Sequence, residues 1–126
     1  MARRRLLLGA VAAGLAGCIT DPGRSCRGAT WRLSLAPTES VDDPLSLEAD
    51  SLSTAADAVV ETAVDGEHVE RCVVWDADPG PSDGLREVGE RLEAHLGIDL
   101  AGRRETVRAD ARRAGEDYRL TLQIEG

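Results

Sequence analysis

The sequence predicts an α+β domain over residues 29–126. It should contain a small sheet of about four strands with two helices packed on one face, in the order strand, helix, strand, helix, strand, strand. Three observations carry this. Two segments place apolar residues at helical spacing, the C-terminal segment alternates with period two, and Gly- and Pro-containing stretches separate the elements. At 126 residues the chain has room for one such domain.

Residues 30–36 alternate, with Trp31, Leu33 and Leu35 on one face, as a half-buried strand does. Residues 37–50 hold Pro37, Pro44 and five acids and are expected to form a solvated loop. Residues 53–64 follow Leu52 with Ala56, Val59, Val60, Ala63 and Val64 at helical spacing. Ser53 is the expected N-cap and Gly66 the stop. Residues 68–76 carry Val69, Val73, Val74 and Trp75 and predict a second strand. Asp76 to Gly84, with two prolines and two glycines, predicts a loop.

Residues 83–96 repeat Leu85, Val88, Leu92 and Leu96 on one helical face, with Gly97 beyond them. Arg86–Glu90 and Glu87–Arg91 are i, i+4 pairs, each contributing only a few tenths of a kcal/mol. Residues 104–113 and 117–125 predict a closing hairpin turned at Ala114-Gly115-Glu116. Tyr118, Leu120, Leu122 and Ile124 form its apolar face. The sheet is therefore expected to be antiparallel or mixed.

The N-terminus has a different composition. Arg3-Arg4-Arg5 precedes 11 apolar or small residues, Leu6 to Ala16. A spanning helix needs about 20, whereas a basic head and a short apolar stretch fit an export signal. The stretch closes in Leu15-Ala16-Gly17-Cys18. Small residues before the cysteine admit a peptidase, and the thiol can take a lipid through a thioether. Arg3-Arg4-Arg5-Leu6-Leu7 has the spacing of a twin-arginine signal, with Arg3 and Arg4 as the pair; such a signal is an address and not an anchor.

These motifs resemble those of lipoproteins exported by the twin-arginine route in haloarchaea. The resemblance implies a signal peptide over 1–17, a lipid-anchored tether over 18–28, and a location on the outer face of the cell membrane, with Cys18 lipidated. Cleavage after Ala10-Val11-Ala12 to a soluble protein, or an uncleaved anchor, are the alternatives. Residues 48–125 also resemble, through Leu52-Ser53, Ala63-Val64-Asp65-Gly66 and Gly115-Glu116-Asp117-Tyr118-Arg119-Leu120, a small domain type frequent in exported haloarchaeal proteins. That likeness implies no activity, ligand or catalytic residue.

Charge narrows the partners. The chain carries 15 Arg, no Lys and 23 acids, a formal charge of −8. Without residues 1–17 the balance becomes 12 Arg against 23 acids, −11 over 109 residues. Nucleic acid is excluded as a partner, since binding it requires cationic groups that displace counterions. The remaining partners are the membrane, through the lipid on Cys18, and a surface protein.

Three cysteines are present. With Cys18 lipidated, Cys26 and Cys72 remain, and in an exported protein they are expected to pair. Free buried thiols or a metal role are the alternatives.

Candidate chemistry is sparse, and no cofactor is expected. The loop Asp76-Ala77-Asp78-Pro79-Gly80-Pro81-Ser82-Asp83-Gly84 offers Asp76, Asp78 and Asp83 as weak candidate ligands for a hard cation. Pro79 occupies the third ligand position of a calcium loop, however, and Val88 and Gly89 lie where its bidentate Glu is needed. A hydrolase would need His68 or His95 as base, and no Gly-x-Ser-x-Gly elbow or phosphate-cradling glycine loop exists. Arg103, Arg104, Arg108, Arg112 and Arg113 form the one basic cluster. Alternation sets Arg104, Arg108 and Arg112 opposite Val107, Ala109 and Ala111, facing anionic headgroups, an acidic partner, or neighbouring acids.

The leading expectation is a non-enzymatic surface lipoprotein serving interaction or envelope structure. A cation- or small-solute-binding lipoprotein using loop 76–83 comes second, and a hydrolase third.

Self-repulsion of so acidic a chain destabilises its compact state in dilute buffer. At molar salt the Debye length is roughly 3 Å and the repulsion is screened. Dialysis of the mature domain from molar salt to dilute buffer should abolish its circular dichroism signature; an unchanged spectrum would show that the charge is tolerated without screening.

Overall fold

The alternation that begins at Ala29 produces β1 (Ala29–Pro37), whose inward side chains Ala29, Trp31, Leu33 and Leu35 are buried. The computed structural model describes residues 27–77 and 80–126. After β1 come β2 (Leu45–Ser46), a 3-10 turn at Ala49–Ser51, α1 (Thr54–Asp65), β3 (His68–Val73), α2 (Asp83–Leu96), β4 (Thr106–Arg113) and β5 (Glu116–Glu125). The fold is α+β, with one mixed sheet in the order β2-β4-β5-β1-β3 and two helices. Among the described residues, no helix is long and apolar enough to cross a membrane.

Five strands form where about four were expected. The fifth is β2, inside the stretch expected to be a solvated loop. It pairs in parallel with β4, Leu45 opposite Ala111 and Ser46 opposite Arg112, and the Leu47 amide donates to the Arg112 carbonyl at 2.9 Å. Leu45 and Leu47 are buried in the core. Two apolar residues flanking one serine are too short a pattern to stand out between Pro44 and the acids.

β3 ends at Val73, before the expected limit of 76. Cys72 adopts φ 61°, outside the strand region, and the register against β1 shifts between Ala29 and Trp31. Trp75 still reaches the core, from a turn. In the closing hairpin, β4 begins at Thr106, β5 begins at Glu116, and the turn narrows to Ala114-Gly115, both with positive φ.

The helices begin and stop as their sequences dictate. The Ser53 hydroxyl accepts from the Ala56 amide, and the Ser82 hydroxyl accepts from the Leu85 amide. Gly97 ends α2 in the left-handed region at φ 68°, its amide bonded to the Glu93 carbonyl. Of the two expected i, i+4 pairs, Glu87–Arg91 forms at 3.7 Å. Arg86 does not pair with Glu90. It lies over the Trp75 ring, 5.4 Å from its centroid, and donates to the Trp75 carbonyl at 3.2 Å.

The core lies between the helices and the apolar sheet face. α2 presents glycine at two close approaches, once to α1 and once to Trp75. A Cβ at Gly84 would collide with the Ala55 carbonyl of α1, and one at Gly89 with the Trp75 ring. Trp75 in turn stacks on Trp31, centroids 5.1 Å apart and planes 11° from parallel.

Gly89→Ala therefore tests the packing. Alanine favours a helix over glycine by about 1 kcal/mol, but overpacking against a ring already held by Trp31 and Arg86 costs about 1–3 kcal/mol. A net destabilisation of up to about 2 kcal/mol is expected from the balance of the two, read from denaturant midpoints in molar salt. A gain in stability would mean that Trp75 yields freely.

Candidate functional site

Period two along β3 puts His68 and Glu70 on one side of the strand. The N-cap of α2 brings Ser82 to the same place. The Glu70 carboxylate accepts from the Ser82 amide at 2.8 Å and from the Ser82 hydroxyl, and it contacts His68 Nε2 at 2.7 Å. A serine, a histidine and an acid thus converge, but the acid sits in the middle. A nucleophilic triad needs the histidine between the hydroxyl and the acid, so that it can take the hydroxyl proton. Here the carboxylate holds the hydroxyl and ties the start of α2 to β3.

Glu70 is largely buried, which by itself pushes its pKa up. The Ser82 hydroxyl and amide, with the hydrogen bond and charge of His68, outweigh that and hold it below the ordinary value. His95 lies apart from this cluster, on α2, with Nε2 2.7 Å from the Asp43 carbonyl.

Asp76 is exposed and Asp83 opens α2, while Asp78 lies outside the described residues. Among the described residues, no group of three or more His, Cys, Asp or Glu side chains is placed to hold a metal ion.

The basic cluster divides across the sheet. Arg108 and Arg112 are exposed on the outer face, as expected; Arg112 pairs with Asp117 and Arg119 with Asp110, each at 2.9 Å. Arg104 precedes β4 and belongs to no strand face. Arg103 donates to Glu105 at 2.6 Å.

Arg113 corrects the expectation for the cluster. It falls on the inner face, where it is buried, and donates to the Leu47 carbonyl at 2.9 Å, to Asp57 at 2.7 Å and to Glu61 at 3.4 Å. Alternation through Ala109 and Ala111 signals that side. The spacing of Asp57 and Glu61 one helical turn apart marks the partner.

Cys72 is exposed near the end of β3. Arg3, Arg4, Cys18 and Cys26 lie outside the described residues. Gly28, two positions after Cys26, packs so tightly on β3 that a Cβ there would collide with the backbone of Cys72 and Val73.

A cleft of about 100 Å³ lies near Gly28, lined by Arg27, Trp31, Val73, Trp75, Gly102 and Arg104 together with the exposed Val74. Sequence reasoning missed it, because the two arginines stand 77 positions apart and neither flanks a motif. Comparison with known proteins returns no matching family model, no match among curated proteins and no match among solved structures.

Because the folded value of Glu70 is depressed, its stabilising contribution is present in full above the ordinary value of 4.5 and is lost as pH falls through the folded value. Glu70→Gln should be less stable than the wild type at neutral pH, and the difference should shrink as pH drops from about 6 to about 3. Chemical denaturation across that range measures it. A difference independent of pH would mean that the ionised carboxylate is not what ties β3 to α2.

Proposed function

We propose that the protein is exported and lipid-anchored at the outer face of the cell membrane, where its α+β domain serves as a non-enzymatic interaction or envelope module. The observation that carries this is the sequence order of basic head, short apolar stretch and Leu15-Ala16-Gly17-Cys18. The fold is compatible with it. β1 starts 11 positions after Cys18, so a short tether of at most roughly 3.3–3.6 Å per residue separates lipid from domain. A lipid with two chains would make the attachment lasting, where one chain gives marginal binding.

Two features support a non-catalytic role. The Glu70 carboxylate engages the Ser82 hydroxyl, which already caps α2. The outer sheet face is polar and crossed by arginine–aspartate pairs, the kind of surface that remains solvated until a partner meets it.

A Cys26–Cys72 disulfide belongs to the same proposal. Gly28, two positions after Cys26 in sequence, sits on the backbone of Cys72, which supports this reading. Closing 46 positions would stabilise the domain by roughly 4 kcal/mol in the chain-entropy model.

Mass spectrometry of membrane-extracted protein should find Cys18 as the N-terminal residue with its sulfur alkylated by lipid. Cys18→Ser should lose the modification and leave the lipidated membrane fraction. An intact Met1, or an unmodified Cys18 in a freely diffusing product, would overturn the proposal.

A further inference from the structure

The cleft beside Gly28 differs from the others described. The cleft at Arg113 also contains Glu61 and Asp65, and the shallow one on the outer face contains Asp42 and Asp110. Among the described residues the Gly28 cleft is lined by two arginines and no acid, in a chain with 23 acids and 15 bases. Among the described residues Arg32, Arg91, Arg103, Arg112, Arg113 and Arg119 meet a carboxylate, whereas Arg27 and Arg104, like Arg71, Arg86 and Arg108, do not; of these five only Arg27 and Arg104 share a cleft. Arg104 gives one N–H to the neighbouring Arg103 carbonyl, which leaves most of its donor fork unused.

The same cleft is lined by Trp31, whose indole Nε1 is buried and has no hydrogen-bond partner among the described residues. A buried donor left unmade costs about 1–3 kcal/mol, so such groups are rare in folded proteins. Among the described residues, every side-chain group of this lining that can hydrogen-bond is a donor, and none is an acceptor. Arg104 is exposed, so its side chain can lift to admit a group that reaches the indole.

We propose that this cleft binds one phosphate-sized oxyanion, taking donors from Arg27, Arg104 and the Trp31 indole. The volume of about 100 Å³ suits a single phosphate group; ligands of drug size need roughly 300–1,000 Å³. Guanidinium forks match the oxygens of phosphate in pairs. The phosphate belongs either to a free anion or to a lipid headgroup, and the site does not depend on Cys18 being lipidated.

The test follows the indole N–H signals of the ¹⁵N-labelled full chain by NMR, with ionic strength held constant by KCl. Inorganic phosphate is one probe and water-soluble dihexanoyl phosphatidic acid the other. The Trp31 indole signal should move saturably. Arg27→Gln with Arg104→Gln should weaken the apparent affinity at least about tenfold, given the strength of charge-assisted hydrogen bonds. Arg108→Gln, on the outer face, should leave it unchanged. Saturation by both probes at similar concentration assigns the site to free phosphate, and saturation by phosphatidic acid at tenfold lower concentration assigns it to a headgroup; either result supports the site. A Trp31 signal that stays still with both probes, in the wild-type chain whose folding is not at issue, overturns it. So does a double variant that titrates like the wild type.

Discussion

The contact on which the packing of α2 depends is the seating of the Trp75 indole, stacked on Trp31 and touching α2 at Gly89. Trp31 comes from the sheet, Trp75 from the turn after β3, and Gly89 from the helix, so one stack joins three parts of the chain. Only three aromatic residues are present, with no phenylalanine, so no other ring pair can take its place. The arrangement also explains neighbouring choices. Gly89 leaves room for the ring, Arg86 covers it instead of pairing with Glu90, and Val74 turns outward at 40% exposure as Trp75 turns in.

A second anchor works by charge. Arg113 carries its guanidinium to the inner face and binds the loop after β2 through Leu47 and α1 through Asp57 and Glu61. Such a buried cation is tolerated only because its donors are met. Its carboxylate partners stay partly exposed, so their own contribution is reduced by solvent. In a chain this acidic, placing one arginine between two acids relieves repulsion along α1 while closing the end of the sheet. The outer face repeats the device at Arg112–Asp117 and Arg119–Asp110, where exposure makes the pairs matter more for solubility than for stability.

Much of the fold was legible because its signals are periodic. Tyr118, Leu120, Leu122 and Ile124 announce β5, and Leu85, Val88 and Leu92 announce α2, because burial of one face imposes those periods. Ser53 and Gly97 mark boundaries through local hydrogen bonds and backbone geometry that depend on few distant atoms, and the Ser82 cap of α2, not read from the sequence, works the same way. β2 was not legible, since two residues carry no period and its existence depends on partners in β4 66 positions later. The limit of β3 was missed because Val73, Val74 and Trp75 look continuous, whereas the chain turns at Cys72. For the candidate site, the residue types near His68 and Glu70 were visible, but the position of Ser82 on Glu70 is tertiary. The donor-only cleft was invisible for the same reason.

Stacking of the two tryptophans has an optical consequence. Trp31 and Trp75 are the only indoles in the chain, and at 5.1 Å their transition dipoles couple and exchange excitation. Emission and the near-ultraviolet circular dichroism should therefore report the contact and change when the rings part. The seating of α2 on the sheet can thus be followed in real time, in concentrated brine, with no added dye.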